Sequence, residues 1–189
     1  MGVAERSGVP ANRTRFRYRL RMSDGSIVPI EIVRASSKHR EDLTELAVRI
    51  EAEDHPDDPD VAKRAPVAVA RSLDRYDALS SDSAWFLIAY AAGRPVGLAI
   101  LTRIPKLDER VGLLYLDELH VVAEHRRRGV ARALLAAATD LLAELGLAGI
   151  RLLTRPENGP ARSLYESFGF RGGETILYRI RVEPREPSF

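Results

Sequence analysis

A strict alternation of apolar and charged residues marks the beginning of the patterned part of the chain. From Arg15 to Met22, every second residue is apolar and each residue between them is an arginine. A period of two predicts a strand with one buried face. A Ser-Asp-Gly-Ser turn leads into a second apolar run over 27–35, so we predict a hairpin. We interpret the arginine face as a solvated edge that resists aggregation; the alternative is that it binds an anion or nucleic acid.

The middle of the chain passes from a helical pattern to a strand pattern. Apolar residues recur at helical spacing over 38–54, where an acidic segment with two prolines ends the helix. A second helix is predicted over about 60–76. The apolar run 84–104 contains a Gly-Arg-Pro turn and therefore predicts two strands, while 111–122 predicts a third. We expect these strands to be antiparallel.

The last third of the chain alternates between helices and strands. A single apolar stripe over about 129–145 predicts an amphipathic helix, and the short run 150–154 predicts a buried strand. Asn158 is a suitable N-cap for a further helix, which Gly169 is placed to end. Residues 174–182 then predict a closing strand.

Together these elements indicate a mixed α/β (α+β) fold. We expect a central, mostly antiparallel sheet that is flanked by helices and extended by the N-terminal strand or hairpin. The length of 189 residues suits one domain. We place this domain at 15–189, after a polar and flexible segment at 1–14.

Composition excludes several classes of function. The formal net charge is only +2, which argues against a general nucleic-acid binder. The absence of cysteine rules out disulfides, thiolate metal sites and a cysteine nucleophile, and we predict no metal site. No apolar run reaches the roughly 18 residues of a membrane span. We therefore expect a cytoplasmic protein without a membrane or nucleic-acid partner.

The turn that precedes the helix at 129–145 is unusually basic. It reads HRRRG, and it is followed directly by the apolar helix. The first helical turn has four amide groups without internal partners, and the helix dipole adds partial positive charge there. Arginines are unfavourable at that end of a helix unless an anion binds. The turn is therefore a candidate phosphate cradle, with a solvated corner and a nucleic-acid patch as the alternatives.

Two motifs carry a resemblance to a known family. The first is Arg-x-x-Gly-x-Ala in the basic turn, and the second, further along the chain, is Asn-x-x-Ala-x-x-x-Tyr-x-x-x-Gly-Phe. With both in the expected order, the sequence resembles the GNAT superfamily of N-acetyltransferases over roughly residues 30–182. The likeness implies the GNAT fold and direct transfer of an acetyl group from acetyl-CoA to an amine. The matching residues are Arg126, Gly129 and Ala131, then Asn158, Ala161, Tyr165, Gly169 and Phe170.

The resemblance also implies how acetyl-CoA is held. Its pyrophosphate would lie on backbone amides of the basic turn and first helical residues, and its pantetheine arm would pair with the preceding strand. Asn158 would bond to that arm, and Tyr165 would lie at the cofactor's sulfur. The other expected cofactor-binding residues are Leu119, His120 and Val121 in the strand, and Arg126, Arg127, Arg128, Gly129, Val130, Ala131 and Arg132 in the turn and helix.

The catalytic roles are divided between an acid and a base. The resemblance implies that Tyr165 is the general acid toward the departing thiolate. The strand before the basic turn is apolar except for Asp117, Glu118 and His120, and such charges are costly unless they are paired or used. We prefer Glu118 as the base, with His120 or Asp117 as alternatives. An ion pair from this strand to an arginine of the N-terminal hairpin is the structural alternative.

The acceptor is expected to be a small amine. In this family the first helices, their loop and the strand before the basic turn select the acceptor, and here they carry many carboxylates. We predict a cationic acceptor such as a polyamine or an aminosugar, because these carboxylates would attract it. Within the family, the sequence looks most like the aminoglycoside 3-N-acetyltransferases. A solvated acidic loop is the alternative. The expected substrate-binding residues are Glu51, Asp54, His55, Asp117 and Glu118, with Glu53, Asp57 and Asp58 nearby in the same segment.

Other functions compete with this interpretation. The protein could acetylate a protein N-terminus or lysine, or it could sense acyl-CoA without turnover. Retention of the Tyr165 and Glu118 side chains argues against a sensor without activity. The sequence leaves the acyl chain, the acceptor and a homodimeric state open.

Overall fold

The computed structural model of the protein describes residues 15–21, 27–75, 77–109 and 111–180. The chain divides between Leu153 and Thr154 into two compact units. The segment 1–14, which we predicted to be flexible, lies outside the described residues. The prediction that a single domain spans 15–189 stays a prediction.

The larger unit is built on a sheet whose strands follow one another in chain order. All neighbouring strands are antiparallel except β5 and β6, which are parallel. This arrangement confirms the predicted mixed, mostly antiparallel sheet with an added N-terminal hairpin. The strands are β1 (Arg15–Arg21), β2 (Ile27–Arg34), β3 (Ala84–Ala91), β4 (Arg94–Pro105), β5 (Gly112–Val121) and β6 (Ile150–Leu152).

The N-terminal hairpin has the two faces that its sequence predicted. Phe16 pairs with Ile32 across the β1–β2 ladder, and both side chains are buried. Arg15 and Arg17 are exposed, and both contact Glu31, at 3.0 and 3.6 Å. Both arginines are therefore exposed and paired within the hairpin at the edge of the sheet, and the role of the arginine face stays a prediction.

Two helical layers cover opposite faces of this sheet. The first layer consists of α1 (Arg40–Asp54), which follows a short 3-10 turn, and α2 (Val61–Arg75), which packs on α1. The second consists of α3 (Val130–Glu144). Helix α3 lies on the face of Gly97, because a Cβ there would lie 3.3 Å from α3 side chains, and Gly97 pairs with Ala89 of β3. Tyr90, the next residue of β3, faces the other way. Its hydroxyl donates to Asp42 of α1 at 2.5 Å, so α1 lies on the opposite face.

Helix α3 forms as its apolar stripe predicts and is buried along that stripe. Leu134, Ala137 and Ala138 have no solvent exposure, and Gly146 follows the helix in the left-handed conformation at φ 63°. The close approach at Gly97 brings the first turn of α3 directly onto β4. As a result, the beginning of the helix lies beside the end of β5. Among the described residues, no helix is long and apolar enough to cross a membrane.

The smaller unit contains α4 (Gly159–Phe168). The Asn158 side chain accepts a hydrogen bond from the Ala161 amide at 3.2 Å, and Gly169 ends the helix at φ 111°. Both predicted caps are confirmed.

The predicted closing strand at 174–182 is wrong over the described residues 174–180. These residues are irregular, and the apolar side chains of Ile176, Leu177, Tyr178 and Ile180 are exposed. Alternation of side chains alone does not make a strand, because strand geometry is stabilised by a hydrogen-bonded neighbour and a covered face. The described part of this segment has neither.

Candidate active site

A β-bulge decides which way the acidic residues of β5 point. Leu116 pairs with Leu101, but Glu118 pairs with Ile100, so Asp117 is an extra residue in β5. In an unbroken ladder Glu118 would have stood opposite Ala99, on the face that α3 covers. The bulge turns Glu118 to the face of α1 instead, and His120 follows on the same face opposite Leu98.

The surroundings of Glu118 favour its protonated form. Although the residue keeps solvent access, partial burial of the carboxyl group raises the pKa of Glu118. His120 lowers the pKa, whereas the charges of Asp117, Glu51 and Asp54 raise it further. A carboxyl with a raised pKa is a better match to a proton-abstracting role than an ordinary surface carboxyl.

The last turn of α1 brings further charge to this face. Glu51 and Asp54 act electrostatically on Glu118, as Asp117 does, so four of the expected substrate-binding residues share one environment. His55 follows directly after the helix, and its Nε2 atom lies 3.9 Å from a Glu51 carboxylate oxygen. The structure thus brings Glu51, Asp54 and His55 to the end of one helix.

The backbone of β5 is open beside Glu118. Strand β6 pairs with β5 only from Leu114 to Leu116. From Asp117 to Val121, β5 pairs with β4 on one side, and no described strand pairs with its other side. An unpaired strand edge can bind an extended ligand through main-chain hydrogen bonds. The residues expected to hold the pantetheine arm, Leu119, His120 and Val121, all lie in this open stretch.

The basic turn that follows β5 has a constrained backbone. Arg127 and Gly129 both adopt the left-handed conformation, at φ 60° and 81°. The Ala133 amide donates to the Gly129 carbonyl at 3.0 Å, so α3 starts immediately after the turn. Helix geometry leaves the amides of Gly129, Val130 and Ala131 without a partner inside the helix. These amides, at the positive end of the helix dipole, fit a pyrophosphate.

The three arginines of the turn do not behave alike. The Arg126 guanidinium binds the Glu53 carboxylate of α1, and its Nε–H donates to the Val121 carbonyl at 2.8 Å. Arg127 and Arg128 are exposed. The sequence groups Glu53 with the acceptor-binding loop, whereas its carboxylate contacts the turn. The sequence holds no signal for this pairing, because the two residues are 73 positions apart.

Tyr165 and Asn158 belong to the smaller unit. The ring of Tyr165 packs edge-on against Phe170, with centroids 5.7 Å apart. Burial raises the pKa of the Tyr165 phenol, which keeps its proton in place at neutral pH. Asn158 uses its carbonyl oxygen to cap α4. The roles of both side chains toward a cofactor stay predictions, as do the roles of the other site residues.

Comparison with known proteins gives a family-level match. Residues 41–170 match the model of the acetyltransferase (GNAT) family. The N-acetyltransferase family 8 member 3 of Rattus norvegicus is 33% identical over 112 residues, which cover 56% of this chain and 48% of that protein. The mouse protein of the same name is 31% identical over a similar span. The chain thus spans about half the length of the curated relatives it matches.

Solved structures share the fold across most of the chain. HMB0005, an aminoglycoside acetyltransferase from an uncultured soil metagenomic sample, is 27% identical at a TM-score of 0.65, covering 82% of this chain and 99% of that one. The aminoglycoside N-acetyltransferase AAC(6')-Iy in complex with CoA is 23% identical at a TM-score of 0.63, covering 82% and 97%.

These matches confirm the predicted fold, the predicted likeness to aminoglycoside N-acetyltransferases and the predicted acetyl-CoA cofactor of the family. The closer likeness to 3-N-acetyltransferases, the acceptor and the cytoplasmic location stay predictions. The chain, with its bulged β5, its open strand edge and its basic turn, belongs to the GNAT acetyltransferase family.

Proposed function

We propose that the protein transfers an acetyl group from acetyl-CoA to a primary amine of a small cationic molecule. The observation that carries this proposal is the placement of Glu118. The bulge at Asp117 puts its carboxyl on the face of α1, beside the acidic end of that helix and at the open edge of β5. A proton acceptor, a negative surface and a strand edge therefore meet in one region.

Acetyl-CoA, when bound, supplies an activated thioester. The amides of Gly129, Val130 and Ala131 would hold its pyrophosphate, and the exposed side chains of Arg127 and Arg128 would add positive charge. The edge of β5 from Leu119 to Val121 would hold its pantetheine arm through the main-chain groups that remain beside the Val121 carbonyl, which Arg126 occupies. Amides of this strand are also suited to stabilise negative charge on the carbonyl oxygen during transfer.

Glu118 would remove the proton from the attacking amine. A protonated amine has no free electron pair, so it has to lose a proton before it can attack a carbonyl carbon. The raised pKa of Glu118 makes its carboxylate a stronger base than an ordinary glutamate. His120 stands two residues along the same strand face, and it offers a route for the proton to solvent.

Tyr165 would give a proton to the departing thiolate. The assignment rests on its position in the downstream motif and on the burial that raises its pKa. A phenol that stays protonated at neutral pH is able to act as an acid, and a developing thiolate is a good acceptor for that proton.

The acceptor class follows from charge. Glu51, Asp54 and Glu118 create a negative surface that would attract a polycation and would disfavour an acidic amine. Aminoglycosides and polyamines carry several ammonium groups each. The aminoglycoside acetyltransferase relatives of known structure support the first of these two classes.

The experiment is a panel assay of thiol release. The protein is incubated with acetyl-CoA and, in separate wells, with aminoglycosides, polyamines, a lysine peptide and a free N-terminal peptide. We expect release above hydrolysis with a small polycationic amine and none with the peptides. Release with peptides only would favour a protein acetyltransferase. CoA binding without release for any amine would favour a sensing module.

A further inference from the structure

The last turn of α1 is tied to the basic turn by a single carboxylate. One oxygen of Glu53 accepts a hydrogen bond from the Ala123 amide at 2.9 Å, and its other oxygen binds the Arg126 guanidinium. Arg126 in turn donates to the Val121 carbonyl at 2.8 Å. Glu53 therefore connects α1 to both ends of the segment 123–126. We call Glu53 and Arg126 the turn clamp.

The turn clamp has a second attachment from the same helix. Arg49 lies one helical turn before Glu53, and it donates to the Pro95 carbonyl at 3.1 Å. Its other nitrogen lies 3.3 Å from the Glu124 carboxylate. Glu124 is exposed, so this ion pair is weak by itself. Arg49 thus connects α1 to β4 at Pro95 and, through Glu124, to the segment 123–126 beside the contacts of Glu53.

The backbone of the turn needs such support. Arg127 is held at φ 60°, a conformation that is unfavourable for a residue with a Cβ. Strained backbone of this kind persists only where the surroundings over-determine it. Arg127 directly follows Arg126, and its conformation sets the direction in which the following amides point. Holding Arg126 in place therefore also holds the amides at the start of α3.

We propose that Glu53 is a positioning residue for the cofactor's pyrophosphate. Through the turn clamp it fixes the turn so that the amides of Gly129, Val130 and Ala131 converge on the anion. Arg126 serves the turn, while Arg127 and Arg128 supply positive charge to the anion. The inference rests on the proposed function, because it takes acetyl-CoA to be the ligand of the turn.

Simple electrostatics makes the opposite prediction. Glu53 is an anion close to the pyrophosphate site, so its removal should strengthen binding of a second anion if charge alone mattered. Removal of a positioning contact should weaken binding instead. The sign of the change in CoA affinity therefore separates the two explanations.

The test compares Glu53→Gln with Glu41→Gln, which removes an exposed charge from the first turn of the same helix. The donors are acetyl-CoA and S-acetylpantetheine, which lacks the pyrophosphate. For Glu53→Gln we expect KM for acetyl-CoA to rise about tenfold. We expect kcat, KM for S-acetylpantetheine and the behaviour of Glu41→Gln to stay at wild-type values.

A second variant keeps the test independent of the first. Arg126→Gln should raise KM for acetyl-CoA to the same extent as Glu53→Gln, and the double variant should lose no more than either single one. If Arg126 bound the anion directly, its loss would exceed that of Glu53→Gln and the two effects would add.

Three results would overturn the proposal that Glu53 positions the turn through Arg126. The first is an unchanged or tighter interaction of Glu53→Gln with CoA. The second is an equal loss with both donors, which would indicate general destabilisation. The third is additivity in the double variant. Failure of the proposed function is distinct from all three, because wild-type protein would then release no thiol with any amine, while the Kd of wild type and variants for CoA could still be compared by calorimetry.

Discussion

Gly97 gives the sharpest prediction about how α3 is positioned at the site. A Cβ at this residue would lie 3.0 Å from the His120 carbonyl oxygen and 3.3 Å from the side chains of Val130 and Leu134. The two side chains are able to shift by a few tenths of an ångström, but the carbonyl belongs to the β4–β5 ladder. Gly97→Ala therefore forces either the strand pair or the start of α3 to move.

The expected loss of stability follows from the general effect of overpacking a core. Inserting one methyl group into a tight core destabilises a protein by about 1–3 kcal/mol. For a chain of this length, about 2 kcal/mol corresponds to a fall in Tm of roughly 4–8 °C. Because the strain is centred on His120 and Val130, we also expect weaker CoA binding.

Gly149→Ala is the matched control. A Cβ there would meet only Leu113, at an ordinary contact distance of 3.8 Å. The substitution should leave Tm unchanged or raise it slightly, because alanine reduces the entropy of the unfolded chain. Differential scanning calorimetry and CoA titration on both variants make the comparison. Equal Tm values for Gly97→Ala and Gly149→Ala would refute the close approach of α3 to β4.

Two further substitutions test the cofactor turn and the proposed acid. Tyr165→Phe should lower kcat by about 10²-fold or more while the Kd for CoA, measured by calorimetry, stays constant; unchanged turnover would remove the acid role. Gly129→Val places a β-branched residue at φ 81°, which is strained for any L side chain. It should therefore abolish measurable CoA binding, and normal affinity in a folded variant would contradict the cradle.

Local signals were sufficient to predict the parts of the site that lie close together in the chain. The alternating residues of β1, the stripe of α3 and the caps at Asn158 and Gly169 follow from short-range rules, and the structure has them. The arginines beside the helix N-terminus likewise indicate an anion site by a short-range rule.

Long-range pairing accounts for what the sequence did not reveal. The bulge at Asp117 depends on the register of β4 against β5, and no local pattern in β5 marks it. The contact of Glu53 with Arg126 joins residues far apart in the chain, so Glu53 looked like one more acid of the acceptor loop. The prediction of a closing strand was wrong for the same reason, because the alternation of its residues carries no information about a neighbouring strand.

The pH dependence of acetyl transfer in wild type and Glu118→Gln tests the central claim most directly. A base works only when it is deprotonated, so the raised pKa of Glu118 should place the acid limb of kcat/KM above the ordinary carboxyl pKa of about 4.3. Glu118→Gln should lose this limb and fall by about 10²- to 10⁴-fold.

Measurements of Tm and a matched control variant show whether a loss of activity comes from unfolding instead of from the missing base. A carboxyl whose pKa is raised in the folded protein destabilises it as pH rises through that pKa, so Glu118→Gln should keep or increase Tm at neutral pH. Glu109→Gln, in the turn between β4 and β5, should leave the profile unchanged. The account predicts a folded Glu118→Gln protein without the acid limb; a variant that retains the wild-type pH–rate profile would contradict it.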